Sequence, residues 1–217
     1  GGETHRFGCA FEGFFQAATF RHPDLAFQLQ FPAGWKGSNE KQAVGAMSPN
    51  QDAVVVLQLA PGTSARQAAE QFFSKQQDVA AGPEWRREIG GFPAYSCAFQ
   101  AQSGQSMLGG LAAWVEYGGR VYRLLGYTLL QQWPAYRRTF EQSIGSFRRE
   151  TDPAVLNARP RRLNLVSVPR PATLEALQRD YPSTVPAPVL SLINNRPPTA
   201  TFAAGDLFKR VTGGTGW

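Results

Sequence analysis

The chain has 217 residues, of which 42% are hydrophobic and 12% aromatic, a globular composition with enough apolar material for one or two domains. Its net charge of +6 is carried largely by scattered pairs (Arg86-Arg87, Arg137-Arg138, Arg148-Arg149, Arg161-Arg162), which reads as solvated surface rather than a nucleic-acid track. Coiled coil is excluded, and so is a membrane helix, since no stretch approaches ~18 consecutive apolar residues; Cys9 and Cys97, with no C-x-x-C spacing, also exclude a disulfide scaffold and a zinc knuckle.

Residues 1–18 are Gly- and Phe-rich without periodicity and read as a segment leading into the first strand. Beyond the turn signal His22-Pro23-Asp24, the residues Leu25, Phe27, Leu29 and Phe31 recur at period two, predicting a strand with one wet face that closes at Pro32-Ala33-Gly34. Gln42 to Met47 reads as a second strand and Ser48 to Asp52 as a polar loop. The β-branched run from Ala53 to Leu59 suits the centre of a sheet. Thr63 or Ser64 then caps a helix to about Asp78, with Ala65, Ala68, Ala69, Phe72 and Phe73 on one stripe. Strands follow over Trp85–Ile89 and Ala94–Ala101, separated by Gly90-Gly91. Met107–Tyr117 and Arg120–Thr128 form a hairpin across Gly118-Gly119, a dipeptide that tolerates positive φ at both positions. Pro134 opens a helix whose Tyr136, Phe140, Ile144 and Phe147 make a core-facing stripe.

The order β-β-β-α-β-β-β-β-α predicts an α+β domain over residues 19–150, a mainly antiparallel sheet with helices layered on it as an α/β/α sandwich. Residues 151–162, from Asp152-Pro153 to Arg161-Arg162, read as a Pro/Arg linker. A second unit follows over 163–211. Leu163–Val168 is a strand, Thr173 caps a helix with Leu174 and Leu177, Pro186 opens a helix with Val189, Leu190, Leu192 and Ile193, and a strand runs from Asp206 to Val211. That plan is β-α-α-β, and residues 212–217 make a flexible tail. Residues 151–217 carry eight basic against four acidic residues, so the second unit is the more basic.

Groups that make or break bonds are sparse. The two histidines, His5 and His22, cannot form H-E-x-x-H, and His22 in its Phe-Arg-His-Pro turn reads as a backbone-bonding histidine. There is no G-x-S-x-G; Ser143 and Ser146 sit at a helix tail, facing water or ending it. Gly213-Gly214-Thr215-Gly216 has no helix after it, so it is no phosphate loop. Glu84 and Glu88 alternate with Arg86 and Arg87 as on an exposed strand, and no close carboxylate pair falls on a buried face. Cys97 sits among apolar neighbours as a buried thiol, with a single disulfide the alternative in an oxidising compartment. No catalytic residue, metal ligand or cofactor is expected within the chain. Arg120, Tyr122 and Arg123 loosely suggest a base-stacking strand, without the Gly-Phe pattern that such sheets carry.

Two stretches resemble known families. Gly13-Phe14-Phe15, Phe20-Arg21-His22-Pro23-Asp24-Leu25-Ala26-Phe27, Phe31-Pro32-Ala33-Gly34-Trp35, Asn39 to Ala46 and Ser48-Pro49 resemble a segment that follows the catalytic domain in bacterial zinc metallopeptidases related to the CAAX prenyl proteases. The resemblance implies a PsbP-like α/β/α sandwich. Val166-Ser167-Val168, Ala172-Thr173-Leu174, Leu190 to Asn194 and Ala204-Gly205-Asp206 resemble a LysM module in which Pro171-Ala172-Thr173-Leu174 replaces the usual G-D-T-L. Together these imply the non-catalytic C-terminal region of an envelope or periplasmic metallopeptidase, serving as scaffold, substrate-docking and cell-wall tethering unit. Zinc belongs to an upstream peptidase domain, which would be this chain's partner together with peptidoglycan or envelope proteins. The start at Gly1-Gly2-Glu3 reads as a fragment or processed product. The alternatives are a stand-alone glycan-binding module, with a groove at Arg170, Thr173, Arg196 and Thr199, and a nucleic-acid binder driven by the net charge.

Overall fold

In the computed structural model, which describes residues 13–158, 162–197 and 199–213, the chain divides into two units between Leu156 and Asn157. The larger unit runs β1 (Phe14–Gln16), β2 (Thr19–His22), β3 (Phe27–Gln30), β4 (Lys36–Asn39), β5 (Ala43–Met47), β6 (Ala53–Ala60), α1 (Ala65–Ser74), β7 (Val79–Glu84), β8 (Glu88–Ile89), β9 (Phe92–Ser103), β10 (Ser106–Tyr117), β11 (Arg120–Leu129), a 3-10 turn (Leu130–Gln132), α2 (Trp133–Gly145), β12 (Arg148–Arg149) and α3 (Pro153–Leu156). Eight strands form one antiparallel sheet in the order β4-β5-β6-β11-β10-β9-β7, with β8 joined to β9; a second antiparallel sheet has the order β1-β2-β3-β12. The class is thus α+β and rich in antiparallel sheet.

The layers follow from alternation along β10. Leu111, Ala113 and Val115 point to one side, into a core shared with Phe20, Phe27 and Leu29 of the small sheet and Phe140 and Ile144 of α2. Ala112 and Trp114 point to the other, against Ala65, Ala68 and Ala69 of α1. The two helices therefore lie on opposite faces of the large sheet. Gly126 sets how closely α2 approaches: a Cβ there would sit 2.7 Å from the Phe140 ring. The β10–β11 hairpin turns on Gly118 and Gly119 with φ of 58° and 72°, and Ser64 caps α1 by accepting from the Gln67 amide.

Several elements differ from the sequence reading. Phe14–Gln16 and Thr19–His22 are paired strands, so His22 ends a strand and leads into the expected turn at Pro23–Ala26. The first helix stops at Ser74, short of Asp78, because Lys75 and Gln76 fold the chain back onto Phe73. Of the expected Trp85–Ile89 strand only Glu88–Ile89 is strand, as β8; Trp85–Arg87 are not, and a strand the sequence did not announce, β7, ends just before them at Glu84. Ser143 does not face water: it is buried and donates to the Gln30 carbonyl at 2.8 Å. Within the expected linker, Pro153–Leu156 forms a helical turn started by Asp152, whose Oδ1 accepts from the Ala154 amide at 2.9 Å. Cys9, His5 and the tail from Gly214 lie outside the described residues.

The smaller unit runs β13 (Arg162–Ser167), β14 (Ala172–Thr173), α4 (Leu174–Asp180), α5 (Ala187–Asn194), β15 (Thr201–Phe202) and β16 (Leu207–Thr212). β13 pairs antiparallel with β16, and β14 with β15. Val168, Leu174, Leu177, Leu190, Phe202 and Phe208 form its core. The Asn194 amide clamps β16 to α5, donating to the Lys209 carbonyl at 2.8 Å and accepting from the Lys209 N–H at 2.8 Å. Asn194→Ala leaves both backbone groups of Lys209 without those partners, and denaturant unfolding of this unit is expected to show a loss of about 1–3 kcal/mol.

Candidate functional site

α2 packs mainly over β10 and β11. On the same face the outer strands β9 and β7 continue past the helix, and a cleft of about 470 Å³ opens between them and α2. Such a volume lies in the range of small-ligand and side-chain pockets. Ala80, Gly82, Ala98, Gly109 and Leu111 form the floor, Leu130, Trp133, Arg137 and Glu141 one wall, and Pro83, Glu84 and Trp85 the opposite lip. Gly109 permits a close approach here, since a Cβ would crowd Leu130 Cδ1 at 2.9 Å and Trp133 Cβ at 3.1 Å. It lets the start of α2 settle onto the sheet.

The lip is pinned by one serine. Ser96 is fully buried on β9; its Oγ accepts from the Arg86 N–H at 2.7 Å and donates to the Arg86 carbonyl at 2.7 Å. Its own carbonyl accepts from the Trp85 N–H at 2.8 Å. The Arg86 guanidinium then lies 4.5 Å over the Trp85 ring. Ser96→Ala removes both hydroxyl bonds, with an expected cost of about 1–3 kcal/mol and faster amide hydrogen exchange at Trp85 and Arg86.

The wall is fixed by Asp52. Its Oδ1 accepts from Tyr136 of α2 at 2.7 Å and from Ser48 at 2.7 Å. The Ser48 bond first, then that from Tyr136, holds the Asp52 carboxyl below its ordinary 3.8. A depressed folded value means a contribution fully present above the ordinary value and lost as pH falls through the lowered one. The stability gap between the natural protein and Asp52→Asn is therefore expected to stay constant near neutral pH and to shrink once the pH drops below about 4, read by urea unfolding at a series of pH values.

The ionisable groups of the cleft are matched. Arg137 Nε donates to Glu141 at 2.9 Å, and Glu84 accepts from Arg87 and faces Arg66 at 3.9 Å. With carboxylates so engaged, the cleft suits holding an apolar or aromatic group better than moving a proton. The sequence reading missed it altogether, because its floor is mostly glycine and alanine and its two tryptophans come from distant segments.

The residues singled out from sequence sit elsewhere. His22 is buried, and its Nδ1 accepts from the Leu25 amide at 3.1 Å. Tyr122 is buried in the core, its hydroxyl pushed up to about 12 by burial, so its ring is not presented for stacking. Arg123 lies on the opposite face, 4.9 Å over Phe72 and donating to Gln58 at 2.6 Å. Cys97 is a free, fully buried thiol, pushed up to about 11 by burial. In the smaller unit Thr173 caps α4 and is paired with Thr201. Arg196 donates to the Thr201 carbonyl at 3.1 Å, pairs with Asp206 at 2.9 Å and covers Phe202 at 4.5 Å. Thr173 and Arg196 thus meet at one short ladder. Arg170 and Thr199, both exposed, enter that ladder from opposite ends. Among the described residues no group of three or more His, Cys, Asp or Glu is placed to hold a metal, and no helix is long and apolar enough to cross a membrane.

No protein-family model and no curated protein sequence matches the chain. Among solved structures it is similar to cyanobacterial PsbP (CyanoP) from Synechocystis sp. PCC 6803, with 18% identity and a TM-score of 0.47 over 61% of this chain and 93% of that one. It is also similar to LpqN, involved in cell envelope biogenesis of Mycobacterium tuberculosis, with 13% identity and a TM-score of 0.44 over 58% of this chain and 83% of that one.

Proposed function

We propose that this chain is a non-catalytic accessory region of an envelope-associated zinc metallopeptidase. The larger unit docks extended client polypeptide and the smaller one tethers the assembly to the cell wall. The series from Gly13 to Pro49 described above motivates the family, and the cleft beside α2 carries the docking role. Its aromatic walls, small-residue floor and paired charges fit an apolar or aromatic side chain of an unfolded client. Zinc and bond cleavage belong to the upstream peptidase domain, and the setting is periplasmic or at the cell envelope. Tethering falls to the ladder carrying Thr173 and Arg196, flanked by Arg170 and Thr199.

Gln100 is exposed on β9 directly opposite Gly109, so a large side chain there fills the cleft without entering the core. Binding of unfolded casein, followed by fluorescence anisotropy, is expected to weaken at least roughly ten-fold in Gln100→Trp, the worth of one well-packed aromatic anchor, with the melting temperature unchanged. Equal affinity of the plugged and natural proteins would remove the docking role. Retention on purified peptidoglycan, lost in Arg170→Ala, tests the tether separately.

A further inference from the structure

The outer face of the β13–β16 pair carries leucines that the smaller unit leaves uncovered. Leu163, Leu165 and Leu207 expose 58%, 59% and 58% of their surface. Leu163 and Leu165 share one pleat of β13, and Lys209 stands directly across from Leu165 on β16. The opposite pleat is spent on the core, where Val166 pairs with Phe208. Exposed apolar side chains gathered on one sheet face mark an interaction surface.

We infer that this face docks on an anionic phospholipid bilayer, with the three leucines entering the headgroup–acyl boundary and Lys209 meeting the phosphates. Lys209 argues for that occupant. A long aliphatic stem beside Leu165 with an ammonium at its tip suits an interface that is apolar below and anionic above. The same lysine disfavours a second copy, which would bring like charges together at the centre of the patch. The unit's charge points the same way: its described residues hold six basic against three acidic side chains, and Asp206 and Asp180 already face Arg196 and Arg179. The outer edge of β16 is closed at Lys209 and Val211. Asn194 satisfies Lys209, while Ser183 and Thr184 satisfy the Val211 N–H and carbonyl.

The test is co-sedimentation of the full chain with vesicles of phosphatidylcholine alone or mixed with phosphatidylglycerol. Sedimentation with the phosphatidylglycerol vesicles is expected, falling as salt is raised. Lys209→Glu is expected to weaken it at least about five-fold, and the combined Leu163→Ser, Leu165→Ser and Leu207→Ser chain to lose roughly ten-fold or more per leucine. Thermal unfolding checks that both variants fold. Should the triple variant unfold, Leu165→Trp decides, its added emission moving to shorter wavelength and being quenched by brominated lipid if the face inserts. Three results would overturn the inference: no sedimentation at low salt, equal sedimentation with neutral vesicles, or leucine-dependent self-association of the chain without vesicle binding.

Discussion

Phe140→Ala is expected to destabilise the larger unit by about 3–5 kcal/mol, the usual cost of truncating a fully buried phenylalanine. The side chain is wholly enclosed on the inner face of α2. Its ring stacks on Trp133 at 6.0 Å and Tyr136 at 5.9 Å, and meets Trp35 edge-on at 6.4 Å. Losing it frees the helix that forms one wall of the cleft, so client binding should fall along with stability. The partner site gives a sharper version. Gly126→Ala alone strains the same contact, with a Cβ 2.7 Å from the ring, and is expected to cost about 1–3 kcal/mol. In the Phe140→Ala background the two ring contacts are gone and only the Cβ at position 140, 3.0 Å away, still crowds it, so the double variant should be more stable than the sum of the two single losses predicts. Urea unfolding of the four proteins in the cycle reads that sign directly.

A loss of similar size is expected for Glu150→Ala. Glu150 is 2% exposed, and its carboxylate accepts from Arg21 at 3.0 Å, Gln28 at 3.2 Å and the amides of Thr151 and Asp152 at 3.0 Å each. Removing it leaves the half-buried Arg21 guanidinium without that carboxylate and frees the turn that leads into α3. Breaking one side of a buried pair costs about 3–5 kcal/mol. Glu150→Gln keeps an acceptor and should lose less, which separates the charge from the shape. Denaturant unfolding with protease sensitivity near Thr151 measures both effects.

The legible parts of the fold were those where one face is apolar and the other is not. Period-two leucines and phenylalanines marked β3, the stripe from Tyr136 to Ile144 marked α2, and Gly118-Gly119 marked the long hairpin. Elements at the sheet edges lacked that contrast. All four residues of β4 are exposed, so no alternation is written into Lys36–Asn39. β7 reads Val-Ala-Ala-Gly-Pro-Glu, poor strand formers held only by β9 and broken by a bulge between Ala81 and Glu84. β1 and β2 were hidden because the residue between them that carries the turn, Ala17 with φ 51°, is not a residue that announces one. The cleft was less legible still. It exists because α2 is narrower than the sheet beneath it, a property of packing that no local pattern encodes.

The central claim is that client polypeptide enters beside α2, and the tryptophan indole N–H signals test it most directly. Trp85 and Trp133 line the cleft, whereas Trp114 is fully buried on the α1 face. Titrating the labelled chain with an extended, aromatic-rich peptide should move the Trp85 and Trp133 resonances together and leave Trp114 in place. A titration that shifts Trp114 as far as the other two, or that moves none of the three, would contradict the account.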